Sequence, residues 1–134
     1  MPGADGRRTL VLVVEDNPMN LELVEAILER EGFQVVSAGS GEEALECLQR
    51  LRPDLVLVDI QLPGMDGLAL TRLLKGDART AELPIVALSA HARLEDREAA
   101  MQAGCTEYIS KPVDTRALPR QLAAVLERST PPAN

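Results

Sequence analysis

The chain has 134 residues, 46% of them hydrophobic, which fits one folded domain with a sizeable core and excludes a disordered chain. Its 14 Lys and Arg against 21 Asp and Glu give a net charge of −7, a poor footprint for direct contact with nucleic acid. No apolar run approaches the length of a membrane helix and no signal-peptide core follows Met1, so a cytoplasmic protein without membrane contact is expected.

Residues 1–8 are small, polar and charged and are expected to be a flexible N-terminus. From Thr9 the consecutive Leu10, Val11, Leu12, Val13 and Val14 predict a buried strand that ends at Glu15-Asp16. Asn17 is a good helix cap and Pro18 fits the first helical position. Leu21, Val24 and Leu28, with Leu23 and Ile27 beside them, repeat at helical period until Gly32. Phe33 to Ala38 reads as a second strand. Ser40-Gly41-Glu42-Glu43 has the form of a capping box, and Ala44, Leu45, Leu48 and Leu51 line the helix that follows, ending before Pro53.

Leu55 to Val58 is an unbroken apolar run that stops at Asp59, with Pro63, Gly64 and Gly67 marking a loop beyond it. A third helix is predicted from Asp66 to Lys75, closed by Gly76. Pro84 opens a fourth strand that ends at Ser89. Leu94 to Gln102 reads as a fourth helix closed by Gly104, and Thr106 to Ser110 as a short strand before Lys111-Pro112. Asp114 caps a fifth helix carrying Leu118, Leu122, Val125 and Leu126 on one face. Pro119 is the discord: a helix begun just after Asp114 would lose a backbone hydrogen bond there, so the helix starts late or is kinked. The folded domain is placed at 9–128, with a disordered tail at 129–134.

Five alternations of strand and helix predict an α/β fold, a doubly wound five-stranded parallel sheet of the flavodoxin-like (βα)5 kind in strand order 2-1-3-4-5. Cys47 and Cys105 are far apart in the chain and read as core filler; His91 is the only histidine, which leaves a zinc site short of ligands.

In a parallel sheet every strand ends on the same edge. Glu15 and Asp16 end the first strand, Asp59 the third, Ser89 the fourth and Lys111 follows the fifth, and order 2-1-3-4-5 makes these strands neighbours. Taken singly, each could be a turn or capping residue; their convergence argues for a site. Carboxylates that close repel unless a cation or proton intervenes, and an all-oxygen site with few protein ligands suits Mg²⁺. Mg²⁺, a Lys and a hydroxyl together neutralise phosphoryl oxygens, with Asp59 as the nucleophile that becomes an aspartyl phosphate.

The acidic pair Glu15-Asp16, Asp59 before Leu62-Pro63-Gly64-Met65-Asp66-Gly67, Ser89-Ala90 and Lys111-Pro112 resemble the signature of two-component response-regulator receiver domains, over about Leu10 to Arg128. Val14-Glu15-Asp16-Asn17-Pro18-Met19-Asn20 further resembles single-domain receivers of the DivK type. The resemblance implies a phosphoprotein of signal transduction by phosphorelay. Asp59 would accept a phosphoryl group from a histidine kinase or histidine phosphotransfer protein. Asp16, Asp59 and the Gln61 backbone carbonyl would hold Mg²⁺, with Glu15 acting through water. Lys111 would contact the phosphoryl group, and Ser89 would report its arrival. Tyr108 would be the aromatic switch, its ring moving inward to change the surface of the fourth helix, fifth strand and fifth helix for a downstream protein partner. The family also implies a cis Lys111–Pro112 bond. A monomer or a phosphorylation-dependent dimer is expected.

Two enzyme-like readings compete. Haloacid-dehalogenase-type phosphatases carry a second Asp two residues after the nucleophile; here that position is Gln61, which cannot take or supply the proton, so turnover of an external phosphoester is not expected. A nucleotide- or flavin-binding module needs a Gly-rich or hydroxyl-rich loop, whereas residues 15–20 offer carboxylates and a Pro.

Overall fold

The computed structural model describes residues 8–90 and 93–129. His91 lies outside them, as do residues 1–7 and 130–134 of the expected flexible ends. The elements are β1 (Leu10–Val14), α1 (Pro18–Arg30), β2 (Gln34–Ala38), α2 (Gly41–Arg50), β3 (Leu55–Asp59), α3 (Gly67–Lys75), β4 (Ile85–Ser89), α4 (Leu94–Ala103), β5 (Glu107–Ser110) and α5 (Ala117–Ser129). Ser129, assigned to the tail from sequence, is therefore the last residue of α5.

All strand pairs are parallel and the order is β2-β1-β3-β4-β5. Successive side chains of a strand point to opposite faces, and the chain exploits this to build two cores. Val11, Val13, Leu55, Leu57, Val86, Leu88 and Ile109 meet α1 and α5 on one face. Leu12, Val14, Val56, Val58, Ile85, Ala87 and Tyr108 meet α2, α3 and α4 on the other. Strands covered on both faces have no polar side, which is why they read as unbroken apolar runs.

Helix ends are set by side chains visible in the sequence. Asn17 Oδ1 accepts from Met19 N and Asn20 N at 2.9 and 3.1 Å, with Pro18 at the first helical position. Ser40 Oγ accepts from Glu43 N at 3.1 Å, and Glu43 reaches back to Gly39 N, one residue before the cap. α1 stops because Gly32 adopts φ 92°, a left-handed conformation suited to glycine, and Phe33 then buries its ring before β2 begins. Asp66 is the cap of α3 rather than its first residue, accepting from Ala69 N at 2.8 Å.

The Pro119 question has a definite answer. Asp114 Oδ1 accepts from both Arg116 N and Ala117 N at 2.9 Å, and α5 begins only at Ala117. Pro119 is then the third helical residue, inside the first turn where backbone N–H groups have no intrahelical partner. The helix starts late and loses nothing.

The loop that follows β3 is pinned by Gly67. Its N–H donates to Ile60 O at 3.0 Å, and a Cβ on Gly67 would sit 2.6 Å from Asp59 O and 2.7 Å from Ile60 Cα. Both clashing atoms are backbone, so relief must move the segment that carries Asp59. Gly67→Ala is expected to cost about 1–3 kcal/mol, the usual range for overpacking a tight site. Urea unfolding monitored by circular dichroism measures it; a change within error would show that the loop yields freely.

Candidate functional site

The sheet edge assembles the site as the strand ends predict. The register sets Val14 beside Val58 and Asp59 beside Leu88, so Glu15 and Asp16 leave β1 next to Asp59. Glu15, Asp16 and Asp59 each offer a carboxylate oxygen, and these oxygens lie within 4.8 Å of one another. Glu15 and Asp59 are only 2% and 3% exposed, while Asp16 is open to solvent. At such separations two like charges repel by about 4 kcal/mol at the effective dielectric of a protein surface.

Lys111 is what offsets this repulsion. Its Nζ donates to Asp59 Oδ2 at 2.5 Å and to Glu15 Oε1 at 3.3 Å. Backbone donors take the other oxygens: Gln61 N–H reaches Asp59 Oδ1 at 2.8 Å, and Asn17 N–H reaches Glu15 Oε2 at 3.2 Å. Burial pushes the Glu15 carboxyl above its ordinary pKa, against the Asn17 hydrogen bond, and the neighbouring Asp59 charge adds to the rise. Burial pulls the Lys111 ammonium down, but the hydrogen bond to Asp59 and the charges of Asp59 and Glu15 outweigh it, leaving its pKa above the usual lysine value.

Ser89 is 1% exposed at the end of β4, beside Ser110 of β5, and its carbonyl accepts from Lys111 N at 2.7 Å. The Lys111–Pro112 peptide is cis, as the resemblance implies. Gln61 follows Asp59 with an exposed side chain. Tyr108 lies in the core beneath α4, with Ala87, Ala100 and Cys105, and is only 6% exposed. The expected inward swing of its ring therefore has no outward starting point in this arrangement. Cys105 and Cys47 both pack against that same core.

One feature of the site was not read from the sequence. A cavity of about 290 Å³ opens beside Lys111, lined by Asn20, Leu23 and Val24 of α1 and by Ala90, Pro112 and Val113. Leu23, which lines this cavity, is 46% exposed, and Met19 in the first turn of α1 is 80% exposed. The sequence set Leu23 beside the apolar stripe of this helix, whereas the buried face is Val24, Ile27 and Leu28.

The donor set is three carboxylates, one facing solvent, with room beside them. That suits a hard dication which takes few protein oxygens and keeps several waters, as Mg²⁺ does. The same geometry gives Lys111 partners before any phosphoryl group arrives. Among the described residues it is the cation paired with both buried carboxylates at rest. Lys111→Met is therefore expected to destabilise the metal-free protein by about 3 kcal/mol, the cost of leaving buried charge uncompensated. The sign with pH follows from Glu15, whose raised pKa makes its ionisation unfavourable to folding. That penalty is absent below the unfolded pKa and complete above the folded one, so it grows as pH rises between them. The Tm deficit of Lys111→Met in EDTA should shrink as pH falls through this window; a Tm equal to wild type at neutral pH would contradict the pairing.

Comparison with known proteins agrees with this geometry. A family model described as the response regulator receiver domain matches residues 11–123. The polar-differentiation response regulator DivK of Brucella anthropi is 42% identical over 103 residues, covering 77% of this chain and 84% of that protein. A receiver domain of a Pseudomonas aeruginosa sensor histidine kinase, solved with a magnesium ion coordinated in its active-site cleft, superposes with a TM-score of 0.83 at 36% identity, over 90% of this chain and 98% of the other. A CheY-like response regulator receiver domain protein from Methanospirillum hungatei gives a TM-score of 0.83 at 29% identity, over 91% and 96% of the two chains. With its five parallel strands, its acidic pocket and its Lys111–Asp59 pair, the chain belongs to the response regulator receiver domain family.

Proposed function

We propose that this protein is a phosphoacceptor of two-component signalling in which Asp59 takes a phosphoryl group from a phosphohistidine of a histidine kinase or histidine phosphotransfer protein. The observation that carries the reading is Asp59 itself. It ends the central strand, nearly buried, with one oxygen on Lys111 and two more carboxylates within 4.8 Å.

In the transfer an Asp59 carboxylate oxygen attacks phosphorus. The bond from phosphorus to the donor nitrogen breaks, and its electron pair leaves with the imidazole. Asp16, Asp59 and the Gln61 backbone carbonyl would hold Mg²⁺, with Glu15 acting through water. Mg²⁺ bound there supplies positive charge for the phosphoryl oxygens. Lys111 lies on Asp59 and needs to move little to contact the incoming group. Ser89, at the adjacent strand end, supplies the hydroxyl that reports its arrival, and Tyr108 is the ring whose surroundings respond.

The apolar wall that Leu23 and Val113 form beside Lys111 supports docking of a protein donor there. The surface of α4, β5 and α5 serves a downstream partner. The protein acts on its own phosphoryl group rather than turning over external substrates, since Gln61 stands where a phosphatase of similar architecture needs a second acid. No helix among the described residues is long and apolar enough to cross a membrane, which is compatible with work in the cytoplasm.

Incubation with acetyl phosphate should add one phosphoryl group to the intact mass. The gain should disappear in EDTA and in Asp59→Asn. Equal labelling of that variant would place the acceptor elsewhere.

A further inference from the structure

The strongest feature outside the signature is one carboxylate on the open edge of the sheet. β5 is the end strand. Glu107 Oε1 accepts from the Tyr108 backbone N–H at 3.0 Å and from Arg97 Nη2 of α4 at 3.3 Å. Its other oxygen faces Arg128 Nη2 of α5 at 3.6 Å. The Glu107 side chain is 27% exposed, so these contacts are only partly screened by water.

α4 has little else to hold it. Its cap residue, Arg93, makes no side-chain cap bond, and only Ala100 and Ala103 are buried. Leu94 and Met101 are 65% and 41% exposed. Two buried methyl groups supply little apolar area. Tyr108 lies under this same helix, in the cluster that contains Ala100.

We propose that Glu107 is the positioning residue of this surface: it ties α4 and α5 to β5 and so keeps α4 closed over Tyr108. The proposal rests on the reading of Tyr108 as the reporter of Asp59. Each exposed ion pair alone is weak. Both ion pairs share one carboxylate, so neutralising it weakens the two together, which suits a surface that must rearrange at small cost.

Tyr108 is the only tyrosine and the chain has no tryptophan, so its emission reports alone. The test measures acrylamide quenching of Tyr108 and hydrogen exchange across α4 in the unphosphorylated protein, beside acetyl phosphate labelling. Glu107→Gln is expected to keep wild-type labelling while quenching and α4 exchange both rise about threefold to fivefold, the size of one lost network contact. Arg97→Gln should give part of that rise, and the double variant no more than Glu107→Gln alone. About 1 M salt should loosen α4 in wild type and leave Glu107→Gln unchanged. Unchanged quenching and exchange in Glu107→Gln would overturn the proposal. Should that variant not fold, Arg97→Gln carries the test, and wild-type α4 exchange in it would overturn the proposal too. Absence of labelling in wild type would count against the phosphoacceptor reading and not against the clasp, which is measured at rest.

Discussion

Two nearly buried carboxylates, Glu15 and Asp59, share one ammonium group. Everything distinctive about this molecule follows from keeping that arrangement intact. Charges removed from water are costly, and their attraction repays the cost only when the remaining lone pairs are also satisfied. Here they are: Gln61 N–H and Asn17 N–H occupy the oxygens that Lys111 leaves. Asp16 adds a further carboxylate at the solvent side, beyond what one lysine balances. The site is thus held together yet electrostatically unfinished, which is the condition for taking up a cation and a phosphoryl group.

The sheet is what makes so concentrated a site possible. Parallel strands bring all their carboxyl ends to one edge, and the order β2-β1-β3-β4-β5 puts the three that matter side by side. Two complete cores, one on each face, fix the strands in register, so the positions of Glu15, Asp59 and Ser89 are inherited from the packing of valines and leucines. Gly67 does the same locally: lacking a Cβ, which would lie 2.6 Å from Asp59 O, it lets the loop after β3 close against the strand end, held by its N–H on Ile60 O. The opposite arrangement prevails at the far edge, where α4 lies on alanines and ion pairs. A site fixed by two packed cores thereby borders a helix with few buried apolar side chains.

Much of this was legible in the sequence because it is local. Unbroken runs such as Leu55 to Val58 announce doubly covered strands, and Asn17, Ser40 and Asp66 announce helix starts. Strand ends then fix the candidate site without any knowledge of side-chain contacts. What stayed hidden depends on distance along the chain or on depth. The resting role of Lys111 joins it to residues 52 and 96 positions away, a relation no window contains. The depth of Tyr108 is decided by how closely α4 approaches β5, which its sequence does not state. The start of α5 turned on a rivalry between Asp114 as a cap and the missing N–H of Pro119; two hydrogen bonds to Asp114 resolve it. The exposure of Leu23 was hidden too, because its spacing put it beside the stripe of the first helix.

Lys111 and a divalent cation answer the same excess of negative charge and so compete for it. The direct measurement is a Mg²⁺ titration followed by calorimetry, on wild type, Lys111→Met and Asp59→Asn. Binding should tighten when the competing ammonium is removed and weaken when the central carboxylate is. Equal affinity in all three proteins, or weaker binding in Lys111→Met, would contradict this competition.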